Sequence, residues 1–220
     1  MAAIPRLAVL ASGRGSNLQA ILDAVAEGRL HARVAGVFGD RHKAFALERA
    51  RDAGIPAQAL RPRDFASRSE FDAALFAAVA AVEPDFIVCA GYMRLLGAEA
   101  IAPWEGRIVN IHPSLLPAFK GLDTHARALE AGMAEHGASL HFVSADLDGG
   151  PVIAQARVPV LPGDDADALA QRVLAVEHPL MISALELLCT GRIRLRGAAV
   201  EFDGQVMQAP LQLAANRLRA

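Results

Sequence analysis

Apolar residues in this chain fall in continuous blocks separated by helical-spacing segments, the pattern of strands buried on both faces rather than of half-exposed hairpins. Residues 7–11 form the first such block, and after a glycine turn the apolar positions Leu18, Ile21, Leu22 and Val25 recur at helical spacing. Residues 34–38 read as a second strand, 44–53 as a helix ended by Gly54, and 55–60 as a short third strand. A helix over 68–82 stops at Glu83-Pro84, since the residue before proline is driven out of the helical region, and 85–90 is again a buried strand. Arg107-Ile108-Val109 then leads a strand into Asn110. Continuous apolar strands alternating with helices predict an α/β fold with a mostly parallel sheet flanked by helices.

Beyond Asn110 the pattern changes. A proline-bounded loop, a helix over 124–131 and two strand-like runs flanking Asp148, the first at 138–143, predict that the sheet turns antiparallel in its C-terminal part. A long helix over 165–188 follows, then a hairpin of 193–195 and 199–202 about Gly197. There is no internal repeat. The segment 206–220 lacks clear periodicity, above all from Gln208 onward, and is expected to be a mobile tail.

Composition narrows the class. With 220 residues, 53% hydrophobic and 21% charged, the chain can bury a substantial core as one domain over 1–220 and is not of a disordered type. A formal net charge of -2 lacks the basic footprint of a nucleic-acid binder, which favours small-molecule chemistry. The two cysteines, Cys89 and Cys189, form neither a disulfide nor a zinc framework. His125, His136 and His141 lack a cysteine or carboxylate cluster at ligand spacing, so no metal is expected. The start Met1-Ala2-Ala3 enters a strand without a long apolar leader, and no apolar run is long enough to span a membrane, so a cytoplasmic protein without membrane partners is expected.

Three segments carry candidate chemistry. In Asn110-Ile111-His112-Pro113 an amide and an imidazole alternate along a strand and so face one side, and proline ends the strand, the place where open α/β sheets bind ligands. In Ser144-Ala145-Asp146-Leu147-Asp148-Gly149-Gly150-Pro151 a carboxylate stands beside two glycines that permit close approach or positive φ, which places Asp148 within possible reach of His112. Near the start, Gly13-Arg14-Gly15-Ser16-Asn17-Leu18 has two positions of a dinucleotide fingerprint but leucine at the third, and no triphosphate-binding Gly-Lys-Ser or Gly-Lys-Thr. It offers backbone N–H groups at a helix N-terminus, with Ser16 or Asn17 as cap, suited to a phosphate monoester. It also fits an ordinary tight β-α turn, and Asp40 after the second strand could serve a nicotinamide ribose.

Together these segments resemble the phosphoribosylglycinamide formyltransferase family, over nearly the full length. The resemblance implies a Rossmann-like formyltransferase fold with a phosphate-binding half over about 1–105 and a catalytic and folate half over about 106–205. It implies transfer of the formyl group of 10-formyltetrahydrofolate to the amine of 5'-phosphoribosylglycinamide in purine biosynthesis, with Asn110, His112 and Asp148 catalytic. Gly13, Arg14, Gly15, Ser16, Asn17 and Glu177 are implied to hold the phosphoribosyl substrate. Folate is implied to meet Arg68, Met93, Arg94, Leu95, Leu96, Gly97, Asn110, Ser144, Asp146 and Asp148. A monomer or homodimer acting on these small molecules is expected. The chain departs from relatives at Asp123, where many carry histidine, and after His178, where the helix is expected to begin or kink differently at Pro179. A formyltetrahydrofolate hydrolase, with water as acceptor, and a noncatalytic folate or phosphate binding module are the alternatives.

Overall fold

The computed structural model describes residues 3–215 and 217–219. Met1 and Ala2, at the start read above for a leader, and Asn216 and Ala220, within the expected tail, lie outside them. The chain divides into two compact units, Met1–Asn110 and Ile111–Ala220.

The first unit contains β1 Arg6–Leu10, α1 Ser16–Ala26, β2 Arg33–Gly39, α2 Phe45–Asp52, β3 Ala57–Ala59, α3 Arg68–Ala80, β4 Phe86–Cys89, α4 Ala98–Ile101 and the start of β5 Ile108–His112. Its strands run parallel in the order β3-β2-β1-β4-β5. β1 lies between two neighbours, and Leu7, Ala8, Val9 and Leu10 are fully buried, as its unbroken apolar run requires. Leu10 pairs with Phe38 on one side and Cys89 on the other, and Cys89 pairs with Asn110. The carboxyl ends of these strands are thereby level, and the segments following β1, β2 and β4 emerge at the same sheet edge as Asn110. α4 was not foreseen, because a four-residue helix has too few positions to show a period.

The second unit continues with α5 Thr124–Glu130, β6 Glu135–Phe142, β7 Val152–Pro159, α6 Ala166–Cys189, β8 Ile193–Arg196, β9 Ala199–Phe202, β10 Gln205–Val206, β11 Leu211–Ala214 and β12 Arg217–Arg219. β6 and β7 pair antiparallel, which bears out the expected change of direction, while β8, β9 and β10 form a separate antiparallel sheet. α6 packs on β6 and β7, burying Leu169, Val173, Leu180, Ala184 and Leu188 at spacings that keep one helical face inward.

The helix does not begin at Pro179: α6 runs from Ala166 to Cys189 with the proline inside it, whose ring removes one N–H and leaves the Ala175 carbonyl without its helical partner, and burial on both sides of the proline holds the helix together. A second expectation is corrected. The C-terminal segment is not irregular: β11 adds parallel to β7 through Leu211 opposite Ala154, and β12 returns antiparallel. Among the described residues of this segment only Leu211 is deeply buried, so pairing with β7 rather than a hydrophobic period defines the strand.

Candidate active site

β5 carries Asn110 half-buried and, two residues on, His112 with only 6% exposure. Pro113 ends the strand, and the following loop folds back so that the Phe119 carbonyl lies 3.0 Å from His112 Nε2. Phe119 sits at φ 54, which turns its carbonyl inward. The loop is fixed from beneath by Ser139, a fully buried residue of β6: its hydroxyl donates to the Ser114 carbonyl at 2.7 Å and accepts from Leu116 N–H and Gln155 Nε2, both at 3.0 Å.

The turn after β6 brings Asp148 to the other side of the imidazole. Asp148 Oδ2 lies 3.5 Å from His112 Nδ1 and accepts the Gly121 N–H at 2.9 Å, while Oδ1 lies 3.7 Å from His141 Nε2. The positive φ of this turn falls on Asp148, at 45°, while Gly149 and Gly150 are needed for space, since a Cβ there would run into Asp146 Cβ and the Phe142 carbonyl oxygen respectively. A non-glycine residue in that conformation is strained and is kept there by its surroundings, here the Gly121 bond and the two imidazoles.

Proton positions follow from these partners. A carbonyl and a carboxylate only accept, so His112 satisfies both Phe119 and Asp148 when both ring nitrogens carry protons. His141 Nδ1 meets the Phe142 carbonyl at 2.8 Å and therefore carries the proton of the neutral ring. Burial holds the His141 pKa below the usual histidine value, against the Phe142 bond and the Asp148 charge, which raise it. Behind the loop, His136 is pushed down to about 4, first by burial and then by neighbouring His125, against a raising bond to the Pro113 carbonyl. No group of three or more histidine, cysteine or acidic residues suited to a metal occurs among the described residues.

The glycine loop belongs to the first unit and borders a cleft of about 220 Å³ lined by Ser12 to Asn17, Arg41, Ala90, Gly91 and Met93. The expected cap is corrected: α1 is preceded by Gly15 at φ 73, Ser16 is already its first helical residue, and no side chain caps the helix. Glycine is required at that point, since a Cβ there would stand 2.7 Å from Ala46 Cα. Arg14 and Arg41 border the same cleft and bring positive charge to the start of α1. Arg49 braces the loop by donating to the Arg14 carbonyl at 3.0 Å.

Ser12, buried, accepts the Met93 N–H at 2.9 Å, so the glycine loop is tied to the segment after β4. There Met93 and Leu95 are exposed, Leu96 is buried, Arg94 lies over the Phe71 ring at 5.5 Å, and Arg68 donates to the Leu95 carbonyl at 2.9 Å. In the second unit Ser144 reaches the Asp146 carbonyl at 3.4 Å, Asp146 is exposed, and Glu177 is buried on α6. Asp123 takes φ 55 just before α5 without capping it by its side chain. Arg41, His141 and the Gly121 N–H were not foreseen. A basic residue just past the carboxyl end of β2, and a histidine on the strand entering the Asp148 turn, were the available signals for the first two.

The formyl transferase family pattern matches residues 5–185. At the level of sequence, the chain is 45% identical over 199 residues to the phosphoribosylglycinamide formyltransferase of Escherichia coli strain K12, covering 90% of this chain and 94% of that protein. It is 44% identical over 201 residues to the Mycobacterium tuberculosis phosphoribosylglycinamide formyltransferase, covering 91% and 93%. The crystal structure of glycinamide ribonucleotide transformylase 1 from Symbiobacterium toebii superposes with a TM-score of 0.88 at 47% identity, covering 90% and 94%. The phosphoribosylglycinamide formyltransferase of Coxiella burnetii, solved with CHES, gives 0.90 at 41% identity, covering 93% and 96%. The chain belongs to the phosphoribosylglycinamide formyltransferase family.

Proposed function

We propose that the protein transfers the formyl group of 10-formyltetrahydrofolate to the amine of 5'-phosphoribosylglycinamide, giving formylated product and tetrahydrofolate in purine biosynthesis. The observation that carries this is His112 held between the Phe119 carbonyl and Asp148 in a member of this family. The protein acts as one domain over 1–220, a phosphate-binding half over about 1–105 and a catalytic and folate half over about 106–205, and works in the cytoplasm as a monomer or homodimer. Among the described residues no helix is long and apolar enough to cross a membrane.

The phosphate of the acceptor binds the N–H groups of Gly13 to Asn17 at the start of α1, with Arg14 and Arg41 adding charge and Glu177 meeting the ribose. Folate lies along Arg68, Met93 to Gly97, Asn110, and the segment containing Ser144, Asp146 and Asp148, meeting mostly backbone. As the amine attacks the formyl carbon, its oxygen becomes negative. The Asn110 amide N–H and the protonated His112 donate to that oxygen. His112 Nε2 must exchange the Phe119 carbonyl for the oxyanion, so substrate entry displaces Phe119 from the ring. Asp148 orients the imidazolium by its charge or, directly or through a water, moves the amine proton to the departing folate nitrogen. Asn110 supplies a hydrogen bond but no proton.

The test is mass spectrometry of the reaction products. Formylated ribonucleotide and tetrahydrofolate in equal amounts are expected. Formate with unmodified ribonucleotide would replace this reading by the hydrolase, and binding without either product by a noncatalytic module.

A further inference from the structure

We propose that Asp72 is a positioning residue for the formyl donor, fixing the loop over 93–97 through Gly97, an inference that rests on the reading of that loop as a folate contact. Asp72 lies on α3 one helical turn after Arg68 and is only 3% exposed. Its Oδ2 accepts the Gly97 N–H at 2.9 Å and lies 3.6 Å from Arg68 Nε. Arg68 Nη2 in turn donates to the Leu95 carbonyl at 2.9 Å. Two side chains on one face of α3 therefore grip the loop at Leu95 and at Gly97.

The approach leaves no slack: a Cβ on Gly97 would come within 2.7 Å of Asp72 Oδ2. Outward, Met93 and Leu95 present apolar side chains at 63% and 49% exposure over this fixed backbone. A loop that meets a planar ligand through its backbone binds well only if its shape is set before the ligand arrives. Asp72 Oδ1 is buried without a hydrogen-bond partner among the described residues. Such a half-satisfied carboxylate is unfavourable for stability, and an apolar residue would serve plain packing better, so what Asp72 contributes is loop geometry.

The experiment compares wild type, Asp72→Ala and Asp72→Asn in steady-state kinetics for both substrates, calorimetric titration with tetrahydrofolate, and amide hydrogen exchange. Asp72→Ala should raise KM for 10-formyltetrahydrofolate by about tenfold to a hundredfold through misplacement of the loop. KM for the ribonucleotide should stay within about twofold, because Ser12 holds the loop only at Met93, the end remote from Gly97, and Arg49 braces Arg14 separately. Exchange at Leu95 to Gly97 should accelerate. Asp72→Asn keeps an oxygen acceptor for Gly97 but loses the charge facing Arg68, and should give a smaller rise, about threefold. If the alanine variant does not fold, the asparagine variant decides. Donor KM and exchange both unchanged in it, or a loss spread equally over kcat and both KM values, would overturn the proposal alone. A wild-type protein that binds no tetrahydrofolate would remove the donor reading and this proposal with it.

Discussion

His112 and Asp148 face each other at 3.5 Å across the end of β5, with the far ring nitrogen of His112 on the Phe119 carbonyl. This arrangement sets an acceptor at each ring nitrogen of His112, a carbonyl on one side and a carboxylate on the other. Replacing His112 or Asn110 by alanine should lower kcat by roughly two to three orders of magnitude, as for loss of an oxyanion donor. Asp148→Asn should cost roughly a hundredfold or more, as for loss of an acid-base group. Single-turnover rates at saturating substrates measure both, and losses under tenfold would remove these roles.

Support for the loop beneath His112 is concentrated in Ser139, whose hydroxyl serves Ser114, Leu116 and Gln155 in a fully buried setting. Ser139→Ala leaves the Leu116 N–H unsatisfied and should destabilise the protein by about 1–3 kcal/mol. Urea unfolding gives the value directly, and a change within error would mean that the loop finds other partners.

The glycine loop depends on Gly15 for its shape and on Arg41 for charge. Gly15→Ala forces a left-handed conformation and a clash with Ala46, and should destabilise by about 1–3 kcal/mol while raising KM for the ribonucleotide. Arg41→Ala should raise the same KM by about fivefold to tenfold with little effect on stability, since a charge-assisted phosphate contact is lost at an exposed side chain. Unchanged ribonucleotide KM in both variants would place the phosphate elsewhere.

Acid stability should reflect His136. Its pKa falls from 6.5 to about 4 in the fold, so the unfolded chain binds a proton that the folded protein refuses over that interval. Its contribution is fully present above pH 6.5 and is lost progressively as the pH falls toward about 4. His125 and His141 act in the same direction. The drop in Tm between pH 7 and pH 5 should be smaller in His136→Gln than in wild type; equal drops would contradict the assignment.

Thiol chemistry gives a further check. Burial pushes the Cys89 thiol up to about 12, so it should not react with a disulfide reagent at pH 8 until the protein is unfolded. Rapid labelling of Cys89 in the native protein would show that β4 opens readily.

How much of this was legible in the sequence depends on the range of the forces involved. β1, β2 and β4 were readable because strands buried on both faces must be continuously apolar, and α6 because its buried face repeats over six turns. β11 and β12 were not, because their pairing with distant β7 and with each other leaves no local period. Asn110 and His112 were readable from alternation on one strand. The Gly121 N–H, His141 and Asp72 were hidden, since each acts through a contact 7 to 27 residues away that local pattern does not encode. The two glycines after Asp148 left close approach and positive φ both open; in the structure they give room beside Asp146 and the Phe142 carbonyl, and the positive φ sits on Asp148, held by tertiary contacts.

The most direct measurement follows 10-formyltetrahydrofolate consumption by the purified protein with and without 5'-phosphoribosylglycinamide while assaying formate. Consumption only when the ribonucleotide is present, with no formate released, is expected of the transferase. Formate release at the same rate whether or not the ribonucleotide is present would contradict formyl transfer to that amine.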